Sequence, residues 1–210
     1  MRSKVTTAPA IEPVTLTELK ASLRITSTAE DTLLSQYITD ARLLVERITG
    51  RKLINQTITS YYTDFNGSSV NSAWWSGTRV MHESVLYERQ KIELEFAPVQ
   101  SLTSLSQVED DNSETVVAST EYYLDNYDDD MRSIIRPVSV LTAGSRNENN
   151  LKAVYVAGYG ALASDVPSAL RRAIIVLAGQ LYVNRGDCGD QCQSDCGVSQ
   201  MLGPYIIKNA

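Results

Sequence analysis

Residues 154–185 read VYVAGYGALASDVPSALRRAIIVLAGQLYVNR and carry the chain from a strand into a helix. Ala153–Ala157 is a short strand candidate, and Pro167 fits the first turn of a helix. Asp165 or Ser164 is the predicted N-cap of that helix. The apolar residues that follow recur at helical spacing and form one broad face: Leu170, Ala173, Ile174, Leu177, Ala178 and Leu181. This stretch predicts a strand, a short connection and an amphipathic helix that ends near Asn184.

Two further helices are predicted near the start of the chain. Thr15 and Glu18 have the spacing of a capping box, in which each side chain accepts a hydrogen bond from a free backbone N–H. The second helix follows a predicted cap at Ser27 or Thr28, and Gly50 fits the position after its last turn. Its apolar face comes from residues spaced three and four apart: Leu34, Tyr37, Ile38, Ala41, Val45 and Ile48.

The middle of the chain has the pattern of short strands separated by turns. Residues 54–65, INQTITSYYTDF, are rich in threonine, tyrosine and β-branched residues, and Lys91–Phe96 alternates between charged and apolar side chains. Shorter strand candidates are Leu102–Val108, Thr115–Ala118, Tyr122–Leu124 and Ser133–Arg136. We therefore expect an α+β chain. Two N-terminal helices (1–53) and a C-terminal helix with its tail (161–210) form a helical bundle module, and an antiparallel β-rich domain (54–160) is inserted into it.

The charge is distributed unevenly along the 210 residues. The whole chain has a net charge of −6 and a pI near 4.9. Residues 54–152 hold 7 basic and 15 acidic side chains, whereas the flanking parts are close to neutral. Nine of the acids lie between positions 107 and 130, where no basic residue occurs. This balance argues against a protein that grips nucleic acid through a basic face, and the acidic block is interpreted as a solvated set of loops past which duplex DNA can slide.

The sequence offers little for catalysis, cofactor binding or membrane insertion. His82 is the only histidine, and its neighbours show no nucleophile motif. Gly158 and Gly160 lack the third glycine or the lysine of a phosphate-binding loop. No apolar run reaches the length of a membrane span, and the first residues do not have the pattern of a secretory signal. We therefore expect a soluble protein that is not an enzyme and binds no cofactor.

Two loops contain residues that often take part in binding. Cys188, Cys192 and Cys196 lie among three aspartates, but three thiols at this spacing do not match a structural zinc site or a calcium loop. A solvated loop is the favoured interpretation, with no metal site. Trp74 and Trp75 are adjacent within a loop rich in serine, glycine and asparagine. They are candidate interface residues because tryptophan is enriched at binding hot spots, although folding back onto the sheet is equally compatible with the sequence.

Four segments together resemble the head-tail connector proteins of tailed bacteriophages, also called neck adaptors or head-completion proteins, which have relatives in gene transfer agents. They are EPVTLTELKASLRI (12–25), ARLLVERITGRKLINQT (41–57), the passage 154–185 and MLGPYI (201–206). The resemblance covers both helical ends, about half of the chain. The middle of the chain resembles the β-rich insertion of this family only in type.

The resemblance implies a structural virion protein. Such a protein forms a homo-oligomeric ring, typically of twelve copies, beneath the portal protein, and it is assembled in the host bacterial cytoplasm. The ring extends the DNA channel without tight DNA binding and receives the next neck or tail protein, a stopper or tail terminator. The C-terminal segment of such relatives reaches the portal, which assigns portal binding here to Leu202, Tyr205, Ile206, Ile207 and Lys208. On this interpretation, deleting residues 202–210 leaves the fold intact.

Two other classes of function remain open at this stage. One is a different virion protein, such as a tail terminator or a minor capsid component. The other is a metal-dependent hydrolase that uses the aspartates and cysteines of residues 187–196.

Overall fold

The computed structural model describes residues 2–63, 91–126, 132–138, 141, 144–184 and 197–207. The chain divides into two compact units. The β unit comprises Met1–Ala8 and Thr57–Val156, and the helical unit comprises Pro9–Gln56 and Ala157–Ala210. Each unit is therefore built from two separate stretches of the chain, with the β unit containing the first residues as well as the middle.

Four helices are described in the helical unit: α1 (Leu16–Leu23), α2 (Asp31–Thr49), α3 (Ser168–Val183) and α4 (Val198–Leu202). The predicted capping box begins α1, since the Glu18 N–H donates to Thr15 Oγ1 and the Thr15 N–H donates to a Glu18 carboxylate oxygen. Gly50 ends α2 in the left-handed conformation, and its N–H donates to Glu46 O. Both features follow the sequence prediction.

The caps predicted for the other two long helices are wrong. Glu30, two or three residues later than expected, occupies the N-cap position of α2. At α3 the N-cap position is held by Pro167, because the Asp165 carboxylate instead accepts a hydrogen bond from the Leu162 N–H in the preceding 3₁₀ turn. Asp165 is thus used to close the short turn before α3.

The core of the helical unit lies between α1, α2, α3 and α4. The α2 helix packs most extensively against α3, and α4 also packs on α3. Residues at the predicted helical spacing are fully buried in this core: Leu19, Leu34, Ala41, Val45, Leu170, Ala173, Ile174 and Ala178. The apolar periodicity of the sequence therefore identified the faces that pack together.

The described strands of the β unit form two sheets. The first has five strands in the order β1 (Arg2–Thr7), β2 (Gln56–Tyr62), β8 (Leu151–Ala157), β4 (Val99–Val108) and β5 (Glu114–Val116). The second has the order β3 (Ile92–Glu93), β7 (Ile134–Pro137) and β6 (Tyr122–Asp125). The pairs β1–β2, β4–β5, β3–β7 and β6–β7 are antiparallel.

The structure corrects two expectations about the strands. Residues 2–7, expected within the helical segment 1–53, form β1 and pair with β2, so that Arg2 lies opposite Tyr61 and Lys4 opposite Thr59. The segment Lys91–Phe96, expected as one alternating strand, contains only the two-residue β3. Ile92 and Leu94 are buried as predicted, but Phe96 is only half-buried.

Candidate interaction surfaces

The C-terminal segment begins inside the core of the helical unit. Leu202 is 0% exposed and belongs to the same apolar cluster as α2 and α3, and Tyr205 packs partly against that cluster. Removing a fully buried leucine from a core typically costs about 2–5 kcal/mol. The expectation that deletion of residues 202–210 leaves the fold intact is therefore wrong, because Leu202 is part of the fold.

The next residues are attached to the C-terminal end of α2. Arg51 Nε donates to Tyr205 O over 2.6 Å, and the Ile207 N–H donates to Thr49 O over 3.0 Å. Ile206, between them, is 42% exposed. Lys208 lies outside the described residues. Within the described segment Ile206 is the apolar side chain most available to a partner, whereas Leu202 anchors the segment.

Other large apolar side chains are exposed on the helical unit. Val183, at the end of α3, is 72% exposed, and Leu43 on α2 and Leu162 before α3 are also exposed. Single exposed apolar residues are ordinary on soluble proteins. Together with Ile206 and Ile11, these side chains are the large exposed apolar residues in the described part of this unit.

A buried charged network lies at the C-terminal end of α2. The Glu46 carboxylate accepts hydrogen bonds from Lys52 Nζ (3.0 Å), Gln56 Nε2 (2.8 Å) and the Leu53 N–H (3.3 Å). Arg42 Nη1 lies 3.3 Å from the same carboxylate, while Arg42 Nε donates to Glu12. Sequence reasoning did not single out these residues, because buried and solvated ion pairs have the same i, i+4 spacing. The network fixes the chain where it leaves α2.

The described part of the acidic block includes a tight turn between β4 and β5, which we call the acidic turn (residues 109–112). The Ser145 N–H and hydroxyl hold the pKa of Glu109 below its usual range, and the Ser113 N–H and hydroxyl do the same for Asp111. Asp111 is exposed and Glu109 half-buried, and both carboxylates are ionised at neutral pH because the pKa of each is lowered. Three of the nine acids of this stretch thus lie at one turn.

A cleft with the opposite charge lies in the same unit. It has a volume of about 380 Å³ and is lined by Arg2, Ser3, Lys4, Tyr61, Arg146 and Asn149. We call it the basic cleft. Three cations and no carboxylate line it, although the β unit as a whole is acidic. Sequence reasoning missed this cleft because β1 was not predicted and Arg146 lies about 140 residues from Arg2 along the chain.

Several residues singled out from the sequence lie outside the described residues: Trp74, Trp75, His82, Cys188, Cys192 and Cys196. Among the residues that the structure does describe, no group of three or more histidine, cysteine, aspartate or glutamate side chains is placed to share a metal ion. Over that same part of the chain, every helix is too short or too polar to cross a bilayer.

Comparison with known proteins gives a consistent picture. A family model described as "Phage gp6-like head-tail connector protein" matches residues 13–123. Among solved structures, a similar chain occurs in the neck of an empty gene transfer agent (GTA) particle computed with C6 symmetry. The similarity covers 100% of this chain and 97% of that chain. The identity is 23% and the TM-score 0.76.

Two further GTA structures contain chains with the same coverage. A chain in the virion of a native GTA particle has 23% identity and a TM-score of 0.75. A chain in the neck of a native GTA particle computed with C12 symmetry has 22% identity and a TM-score of 0.69. These similarities establish the α+β fold over the whole chain. Comparison with curated protein sequences gives no match.

Proposed function

Because this chain belongs to the phage gp6-like head-tail connector family, we propose that it forms a ring in the neck of a phage or GTA particle. The chain is a structural connector protein of the virion. The observation that carries the proposal is the family match over residues 13–123, joined to a fold shared along the full chain with proteins of GTA particles. The particle neck is accordingly its proposed location, after assembly in the host bacterial cytoplasm.

The proposed ring has twelve copies and joins the portal protein to the next neck or tail protein, a stopper or tail terminator. The stoichiometry is supported by the similar chain in a neck computed with C12 symmetry. A ring has a closed, head-to-tail interface repeated between identical copies, which multiplies modest contacts into a stable assembly. The net charge of −6 suits a channel through which DNA passes without being held tightly. The protein would act through shape and assembly and not as an enzyme.

We assign portal binding to the segment after α4. Tyr205, Ile206, Ile207 and Lys208 supply its contacts, and Leu202 anchors it in the core. Ile206 is the central contact, because its side chain is 42% exposed between two residues whose backbones are bonded to the helical unit. Complete burial of a fully exposed isoleucine is worth about 1.5–3 kcal/mol, so covering the exposed 42% of Ile206 contributes about 1 kcal/mol. Twelve such contacts act together in a ring.

The test is capture of the protein by purified portal protein. Ile206→Asp should reduce capture at least about tenfold, since a carboxylate would enter an apolar contact, and a chain ending at Tyr205 should behave in the same way. Ile11→Asp is the matched control, because Ile11 is also 42% exposed on the helical unit. Equal capture of wild type and Ile206→Asp would refute this assignment of the portal contact.

A further inference from the structure

The five-stranded sheet has two edges among the described strands, β1 and β5. Each edge presents a row of backbone N–H and C=O groups with no described strand beyond it. Such edges are templates for pairing with another chain, and natural proteins usually cover or protect them. Val116 on β5 is nevertheless 66% exposed. An exposed apolar residue on an open edge is typical of a strand that becomes covered on assembly.

The two edges carry opposite charge. Arg2 and Lys4 project from β1 into the basic cleft, and within the described part of the chain neither forms an ion pair. By contrast, Lys91, Arg136 and Lys152 of the same unit are each paired with a carboxylate. The basic cleft therefore holds cations that the described residues of the chain do not neutralise.

At the β5 edge the acidic turn presents Glu109, Asp110 and Asp111, followed by Glu114 on the strand itself. Glu114 is already paired with Lys152. The three turn carboxylates have no cationic partner among the described residues. Glu109 and Asp111 accept hydrogen bonds from the Ser145 and Ser113 N–H groups, which fixes the turn.

The basic cleft and the acidic turn lie at the same end of the sheet. Arg146, which lines the basic cleft, donates from Nη1 to Asn112 Oδ1 of the acidic turn over 3.2 Å. Arg2, at the start of β1, lines the cleft together with Ser3 and Lys4, and β5 begins one residue after the acidic turn. If a second copy is rotated about an axis along the strands, its acidic turn stands beside the basic cleft of the first copy at the same height.

We infer that neighbouring copies of this chain associate edge to edge, with the β5 edge and acidic turn of one copy against the β1 edge and basic cleft of the next. The inference rests on the proposed ring and specifies its interface. Two different patches on opposite edges give a head-to-tail contact, which is the kind that closes into a ring. Backbone pairing supplies affinity, and the opposite charges select the correct edge and orientation.

Charge reversal on each edge tests the inference. The variant Arg2→Glu/Lys4→Glu makes the β1 edge acidic. The variant Asp110→Lys/Glu114→Lys/Thr115→Lys sets three lysines against Glu109 and Asp111 and makes the β5 edge basic. Thr115 is exposed on β5, and Asp110 makes no ion pair with a described residue. In each variant alone like charges meet, which is costly, and sedimentation velocity at low salt should show ring formation weakened at least about tenfold.

An equimolar mixture of the two variants should restore rings. Every contact in an alternating ring then joins opposite charges, and twelve is an even number of copies. Glu121→Lys is the control, because Glu121 is an exposed acid outside β1, β5 and the acidic turn, and it should assemble like wild type. Circular dichroism verifies that each variant is folded. Raising the salt concentration should weaken the wild-type ring, since exposed charges are screened.

Three outcomes would overturn the inference. If each charge-reversed variant forms rings normally on its own, this interface is excluded. The connector function would remain intact in that case, and capture by the portal protein would show it. Wild-type protein that stays monomeric at high concentration would also contradict it, again independently of portal capture. The third outcome is that Arg2→Glu/Lys4→Glu forms rings but loses weak binding to duplex DNA, which would assign the basic cleft to DNA phosphate.

Discussion

Glu46 is a residue whose replacement should strongly destabilise the helical unit. It is 3% exposed and accepts hydrogen bonds or ion pairs from Arg42, Lys52, Gln56 and the Leu53 N–H. Glu46→Ala would leave two buried cations without this partner, and breaking a buried pair in this way costs about 3–5 kcal/mol. Urea denaturation should show that loss in the free energy of unfolding.

The control for Glu46 is Asp40→Ala on the same helix. Asp40 is exposed and lies on the solvent side of α2, and substitutions of this kind stay within about 0.5 kcal/mol. Glu46→Gln should lie between the two, since it retains an acceptor oxygen and loses the charge. Equal stability of wild type and Glu46→Ala would mean that the network does not fix the end of α2.

At the scale of the element, the end of α2 depends on Gly50. Its φ is +71°, and a methyl group added there would lie 3.3 Å from Ile207 Cδ1. The left-handed conformation costs an L-residue about 1–2 kcal/mol. Gly50→Ala should therefore lower the free energy of unfolding by about that amount, as measured by urea denaturation.

Gly203 provides the matched control for Gly50. It has φ −48° and ψ −46°, and no heavy atom lies within 4 Å of an added methyl group. Gly203→Ala should be neutral or stabilising by up to about 1 kcal/mol, because alanine restricts the unfolded chain. If the two substitutions had the same effect, neither the backbone conformation nor the contact with Ile207 would explain the role of Gly50.

The sequence predicts some elements better than others, for physical reasons. The long helices α2 and α3 were predicted because apolar spacing repeats over several turns, and α1 because its capping box is local. The β1 strand was missed because an edge strand of six residues acquires its structure from β2, about fifty residues later. Leu202 was assigned to a partner surface because an apolar segment has the same composition whether it packs in its own core or on another protein.

The same limit applies to the proposed contact surfaces. Charge counting along the chain identified the acidic middle segment, and the acidic turn belongs to it. The basic cleft could not be predicted, because it joins Arg2, Lys4 and Arg146 through the pairing of β1 with β2. A net charge averages such local features, and only the fold brings the cations together.

At the scale of the whole molecule, two findings agree. The α+β fold is shared with chains of GTA particles, and the connector family model matches residues 13–123. The helical unit provides the anchored C-terminal segment with Ile206 exposed. The β unit provides two oppositely charged edges. One unit is therefore proposed to face the portal protein and the other to join neighbouring copies of the ring.

The most direct test of the central claim is electron cryo-microscopy of particles that contain this protein. We predict a ring of twelve copies between the portal and the tail, with density that fits both the helical unit and the β unit. Density for this chain at the distal end of the tail, or its absence from the neck, would contradict the account.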